Sequence, residues 1–226
     1  MELELADKVA IVTGAGQGFG AAIAQALAAA GANVAVNDIN PDRAERVAAA
    51  IRAAGGQAVA IPADISNKFQ CVHLVETTRA EWGRLDILVN NAVVKPKATV
   101  LKMDEWDWQR TLDVNLKGTF FMSQLVGRVM ADENQEREGV IINIASDAGV
   151  QTALANHAAY AASKAAIVGF TYECAREYAA HNIRVNVLSP AENPPPTAAT
   201  VAQMALFLCS KTAAHLCGVN LPVNGR

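Results

Sequence analysis

Short apolar runs alternate along this chain with longer stretches of alanine and other helix formers. The runs VAIVT at 9–13, NVAVN at 33–37, QAVAI at 57–61, LDILV at 85–89, VIINIA at 140–145 and IRVNVL at 183–188 are apolar through most of their length. Strands of that kind belong in a parallel sheet whose two faces are both covered by helices. Between them, 20–30, 41–54, 67–82, 103–131, 157–180 and 199–210 are too long for strands and favour helix. The alternation predicts an α/β chain: a doubly wound parallel sheet in three layers, α/β/α, forming a single domain over 1–226. Punctuation agrees, because Asn40 and Pro41 suit the start of the second helix and Gly55–Gly56 its end. The one break is PAENPPPTAAT at 190–200, where three prolines exclude helix interior and central strand. That stretch predicts a loop too short to separate two domains.

Composition narrows the class. With 52% hydrophobic and 18% charged residues over 226 positions there is enough apolar surface for one sizeable core, and disorder is excluded. The formal charge of −3 is not offset by a basic stripe, so nucleic acid is not an expected partner. Cys71, Cys174, Cys209 and Cys217 form no CxxC and no cluster with histidine at ligand spacing, which predicts a reducing, cytoplasmic setting and no metal. No run reaches the length of a membrane span, and the N-terminal residues carry no secretory pattern.

The chemistry starts at TGAGQGFG, 13–20, which follows the first predicted strand and opens the first helix. Glycines at 14, 18 and 20 permit a tight turn, close backbone approach to a pyrophosphate, and close packing of helix on sheet. The helix N-terminus then faces the phosphate charge. The plainer alternative is a glycine-rich turn without a ligand. Asp38 ends the second strand 18 residues after Gly20, near the spacing at which a carboxylate meets the ribose hydroxyls of NAD. Neither Ala15 nor Ile39 offers a charge for a 2′-phosphate, so NAD is expected in preference to NADP, with Arg43 as a complication. Asp38 could also be a strand-end turn residue.

These motifs, with NNAV at 90–93 and YAASK at 160–164, resemble the short-chain dehydrogenase/reductase family in its short single-domain branch. The resemblance runs from about residue 5 to 190 and resumes at 200. It implies a Rossmann fold, an enzyme interconverting a secondary alcohol and a ketone, and a catalytic quartet of Asn115, Ser146, Tyr160 and Lys164. For the cofactor it implies contacts from Gly14, Gln17, Gly18, Phe19, Gly20, Asp38, Ile39, Asp64, Ile65, Asn91, Ala92, Val93, Tyr160, Lys164 and Pro190. Val93 replaces a glycine of the family pattern; the plainer alternative for Asp64 is part of a helix N-cap, and for Asn115 a satisfied asparagine in a helix kink. The helices at 103–131 and 157–180, with the last strand, are implied subunit interfaces of a homodimer or homotetramer.

Elementary chemistry explains the residue types. Hydride delivery to a carbonyl builds negative charge on oxygen, so a proton donor and a second hydrogen-bond donor must meet there. Tyr160 is the expected acid and Ser146 the second donor. Lys164, four residues on, shares a helix face with Tyr160, and a cation about 4 Å away lowers a phenol's pKa by roughly three units at an effective dielectric of ~20. The resemblance gives Asn115 a water that links the lysine to solvent. His157, three residues before Tyr160, is the one histidine expected beside the cleft. Trp82, Trp106 and Trp108 are expected to pack helices, and ADENQERE at 131–138 to be a solvated turn.

The chain departs from the family after Pro190. Ala191 stands in a glycine position, most of the usual helical lid is missing near 191–198, and Arg226 stands where glycine is common. Two other functions therefore remain: an NAD-binding redox sensor or scaffold with little turnover, and a structural subunit. Substrate identity is legible only by class, in the order β-keto acyl thioesters, sugars or polyols, then steroids and other cyclic alcohols. Lys95 and Lys97 hint at an anionic handle.

Overall fold

The computed structural model describes residues 5–134 and 137–225. Residues 1–4, Gln135 and Glu136 of the expected turn, and Arg226 lie outside the described residues.

Strands β1 (Val9–Val12), β2 (Asn33–Asp38), β3 (Gln57–Pro62), β4 (Ile87–Asn90), β5 (Gly139–Ile144), β6 (Ile183–Pro190) and β7 (Asn220–Val223) form one sheet in the order β3-β2-β1-β4-β5-β6-β7. Every pairing is parallel, with Ile11 opposite Ala35 on one side and Leu88 on the other. The helices are α1 (Gly18–Ala29), α2 (Pro41–Ala53), α3 (Lys68–Trp82), α4 (Glu105–Leu112), α5 (Gly118–Glu133), α6 (Ala158–Tyr178) and α7 (Ala198–Cys209). The strand order reverses between β1 and β4, which opens a crevice at the carboxyl ends of the strands.

The uninterrupted apolar strands are explained by their two faces. In β1, Ala10 and Val12 join the core beneath α1, α2 and α7, while Val9 and Ile11 join the core beneath α3, α5 and α6. All four are fully buried, so the pleat sends alternate side chains into two different cores. Each fully buried Val, Leu or Ile contributes about 1.5–3 kcal/mol relative to exposure. Helix ends follow local chemistry. Asn40 accepts from Arg43 N–H to cap α2, Asn67 accepts from Phe69 and Gln70 N–H to cap α3, and Thr197 accepts from Thr200 N–H to cap α7.

Two sequence expectations need correction. The single helix predicted over 103–131 is two helices joined by a π-helical turn, Asp113–Lys117, because the Asn115 side chain is drawn to the backbone of Val94. Trp82 packs against a core cluster, but Trp106 and Trp108 are 70% and 41% exposed. Helix α4 buries only Thr111, and Trp108 lines a shallow pocket with Val100, Met103 and Ala158.

Residues 191–197 join β6 to α7 without a helix of their own. Ala191 N–H donates to Val223 O at 2.9 Å, continuing the strand pairing past Pro190. Among the described residues, no helix is long and apolar enough to cross a membrane, and no cluster of His, Cys, Asp and Glu is placed to hold a metal.

Candidate active site

A cleft of about 250 Å³ lies over the crevice and is lined by Gly14, Gln17, Gly18, Phe19, Asp38, Ile39, Asp64, Ile65, Asn91, Ala92 and Val93 among others. Backbone geometry builds its floor. Gly14 has φ +60°, and a Cβ there would stand 2.6 Å from Ala92 Cα; a Cβ on Gly20 would stand 2.4 Å from the Asn91 amide. Side chains at these two positions would push the loops apart. The Asn91 amide donates to the carbonyls of Thr13 and Gly14, each at 3.0 Å, and the Thr13 hydroxyl accepts from the N–H groups of Asn91 and Ala92. These bonds staple the glycine loop to the end of β4. Helix α1 begins with neither a side-chain cap nor an acidic residue in its first turn, which leaves its N-terminus suited to an anion. A dinucleotide's pyrophosphate fits this cradle.

Asp38 closes the cleft at the end of β2, where it is 4% exposed. One carboxylate oxygen accepts from Gly16 N–H at 3.1 Å; the other accepts from Asn40 N–H at 2.9 Å and from the Arg43 guanidinium at 2.8 and 3.2 Å. Gly16 and Arg43 are thus part of the site, and the sequence signal for Gly16 lay within the glycine loop itself. Three of these four bonds fall on Oδ1, so Oδ2, which accepts only from Gly16, keeps a position for a further donor. Asp64 is tied to Ser66 and Arg110. Burial opposes its charge, but those bonds and the Arg110 charge prevail and hold its carboxyl below the usual range. Val93 is 48% exposed and is not among the residues with positive φ, so valine fits without backbone strain. Gly20 and Pro190 do not line the cleft; Pro190 pairs with Val223 at the sheet end, and its carbonyl accepts from Asp147 N–H at 3.1 Å.

The quartet gathers at the ends of β5 and α6. Tyr160 and Lys164 share one face of α6, and the Lys164 ammonium lies 5.8 Å from the Tyr160 ring centroid while donating to Ile144 O at 2.6 Å. Full burial pulls the Lys164 pKa down from 10.5 to about 7. Asn115 is completely buried and fully partnered: its amide oxygen accepts from Val94 N–H at 2.8 Å, and its amide nitrogen donates to Val94 O at 3.0 Å and Ser163 Oγ at 2.9 Å. This side chain fixes the loop after β4 against α6. His157 stands just before α6 without a capping bond from its side chain, its ring edge-on to Tyr160 at 6.4 Å between centroids.

Sequence reasoning missed Glu192. Its Oε1 accepts from both Ser146 Oγ and Tyr160 Oη, each at 2.8 Å, and its Oε2 accepts from Lys95 Nζ at 2.6 Å. Burial raises the Tyr160 pKa most, and acceptance by Glu192 raises it further, so the phenol is held protonated. Burial also opposes charge on Glu192, yet the bonds from Lys95, Tyr160 and Ser146 outweigh it and keep the carboxyl below its usual range. The only sequence signal was the acidic residue inside a stretch that departs from the family.

Residues 8–205 match the short chain dehydrogenase family. A 3-oxoacyl-[acyl-carrier-protein] reductase of Synechocystis is 40% identical over 187 residues, covering 82% of this chain and 74% of that protein. A D-threitol dehydrogenase of Mycolicibacterium smegmatis is 40% identical over 189 residues, covering 84% and 71%. The structure of a 3-ketoacyl-(acyl-carrier-protein) reductase from Brucella melitensis complexed with NADH superposes with a TM-score of 0.92 at 33% identity, covering 99% of this chain and 98% of that one.

Proposed function

Since this chain belongs to the short-chain dehydrogenase/reductase family and is an oxidoreductase, we propose that it uses NAD(H) to interconvert a secondary alcohol and a ketone. The observation that carries this reading is the convergence of two hydroxyls, Ser146 Oγ and Tyr160 Oη, on a single oxygen atom. Two donors on one oxygen are what a carbonyl gathering negative charge requires. A nicotinamide bound in the cleft would supply the hydride in reduction and accept it in oxidation.

The chain's own groups then handle the proton. Tyr160 donates it to the substrate oxygen in reduction and takes it back in oxidation, while Ser146 holds that oxygen. The Lys164 ammonium, 5.8 Å from the ring centroid, stabilises a phenolate by about 3 kcal/mol at an effective dielectric of ~20, roughly a hundredfold in acidity. Burial and Glu192 oppose this in the state described, so the phenol becomes a useful base once an uncharged carbonyl or hydroxyl oxygen takes the place of Glu192 Oε1. Asn115 positions the loop through Val94 and the helix through Ser163.

NAD in preference to NADP is supported by Asp38, whose carboxylate repels a 2′-phosphate and neutralises Arg43. A homo-oligomer is supported by apolar side chains exposed on and before α4 and on α5 and α6, including Leu101, Trp106, Phe120 and Tyr172. Cysteines without a disulfide suit a cytoplasmic setting. In this reading residues 191–197 form a minimal cover over the catalytic pair.

The test is oxidation of NADH and of NADPH against a β-keto acyl thioester, a ketose and a cyclic ketone. Turnover with NADH is expected on at least one. Glu192 seated on the catalytic hydroxyls favours a second reading, an NAD-binding sensor or scaffold with little turnover. NADH bound without any turnover would select it.

A further inference from the structure

The Glu192 carboxylate is surrounded as a substrate would be. Two hydroxyls meet Oε1, an ammonium meets Oε2, and the side chain is only 19% exposed. Glu192 is held from behind as well, its N–H donating to Asp147 Oδ1 at 3.0 Å, so the side chain can swing away while its backbone stays in place. Lys95 is positioned with equal care. The residue before it, Val94, is bonded through both N–H and C=O to Asn115, and the Lys95 ammonium lies 4.6 Å over the Tyr160 ring. Among the described residues Lys95 has no ion pair other than Glu192.

We propose that Lys95 is the specificity-determining residue of this site, selecting substrates that carry a carboxylate one or two carbons from the reacting carbonyl or carbinol, and that Glu192 is an internal stand-in for such a substrate. The inference rests on the oxidoreductase reading above, because it places the reacting oxygen where Oε1 now lies. A substrate with a carbonyl oxygen there and a carboxylate at the place of Oε2 exchanges one anion on Lys95 for another. A neutral ketone displaces Glu192 as well, but it leaves the Lys95 ammonium, 4.6 Å over the Tyr160 ring, without its counter-charge. The loss of this ion pair is a modest cost, and it falls only on the neutral competitor. Selection therefore comes from a penalty on the wrong substrate as much as from attraction to the right one. Lys97, the second lysine of the loop, is exposed.

Acetoacetate and its methyl ester test this, since they share the carbonyl and differ in the charge. With NADH, the unaltered protein is expected to favour the acid in kcat/KM, and Lys95→Met to lose that preference by about tenfold or more, mainly through KM, while Lys95→Arg retains part of it. Calorimetric titration of acetoacetate gives a readout that needs no turnover: Glu192→Gln is expected to bind it about tenfold more tightly than the unaltered protein, and the added Lys95→Met change to abolish the gain. Thermal melts confirm that each variant is folded. Equal use of acid and ester, a Lys95→Met effect shared equally by both, or acetoacetate binding unchanged in Glu192→Gln would each overturn the proposal. The oxidoreductase reading fails differently, by turnover that survives in Tyr160→Phe whatever the substrate preference.

Discussion

The cofactor cleft and the pocket around Tyr160 lie at the same end of one sheet, but they are held together by different means. In the cleft, main chain meets main chain: the glycine loop, the Asn91 amide and the uncapped start of α1 define a cradle that is open. In the pocket, side chain meets side chain, and the reacting positions of Ser146 and Tyr160 are occupied by Glu192. The first region is preorganised for a ligand of fixed shape. The second holds charges that need a counter-charge at all times, and the protein provides its own until a substrate arrives.

Lys164→Met separates the two regions most sharply. Turnover should fall about 10²–10⁴-fold because the phenolate loses its cation, while NADH titration still shows a cradle able to bind. Thermal stability should rise at the same time. Lys164 has its pKa lowered from 10.5 to about 7 on folding, so the unfolded chain binds the extra proton more readily. The cost of burying the ammonium is present in full below pH 7, fades between about 7 and 10.5, and is absent above. Melts of the variant should therefore gain several degrees at pH 6 and little at pH 10. A variant destabilised equally at both values would contradict this sign.

Within the cleft, Asp38→Asn removes the charge proposed to face a ribose and releases Arg43 from its ion pair. The ratio of NADPH to NADH affinity, measured by fluorescence titration, should rise about tenfold. The smallest effect is expected at Val93→Gly. Valine adopts ordinary backbone there and is half exposed, so stability and NADH binding should change by no more than about 0.5 kcal/mol.

The same contrast explains what could be read from sequence. Strands such as VAIV were legible because burial on both faces removes polar residues from every position. The glycine loop was legible because close backbone approach is a local demand that only glycine meets. The quartet came from the family resemblance, and the structure brings Ser146, Tyr160 and Lys164 to one place. The π-turn was legible only as the alternative reading of Asn115, a satisfied asparagine in a helix kink; its partner Val94, 21 residues away, was not. Nor was the exposure of Trp106 and Trp108 on α4. Glu192 was hidden for the same reason: it meets Ser146 and Tyr160 from 46 and 32 residues along the chain, from a segment whose proline content signalled only a loop.

The most direct test of the central claim is NADH binding and NADH oxidation measured in parallel on the unaltered protein and Tyr160→Phe. Equal NADH dissociation constants are predicted, with turnover reduced about 10²–10⁴-fold in the variant. Turnover that survives the loss of this one hydroxyl would contradict the account.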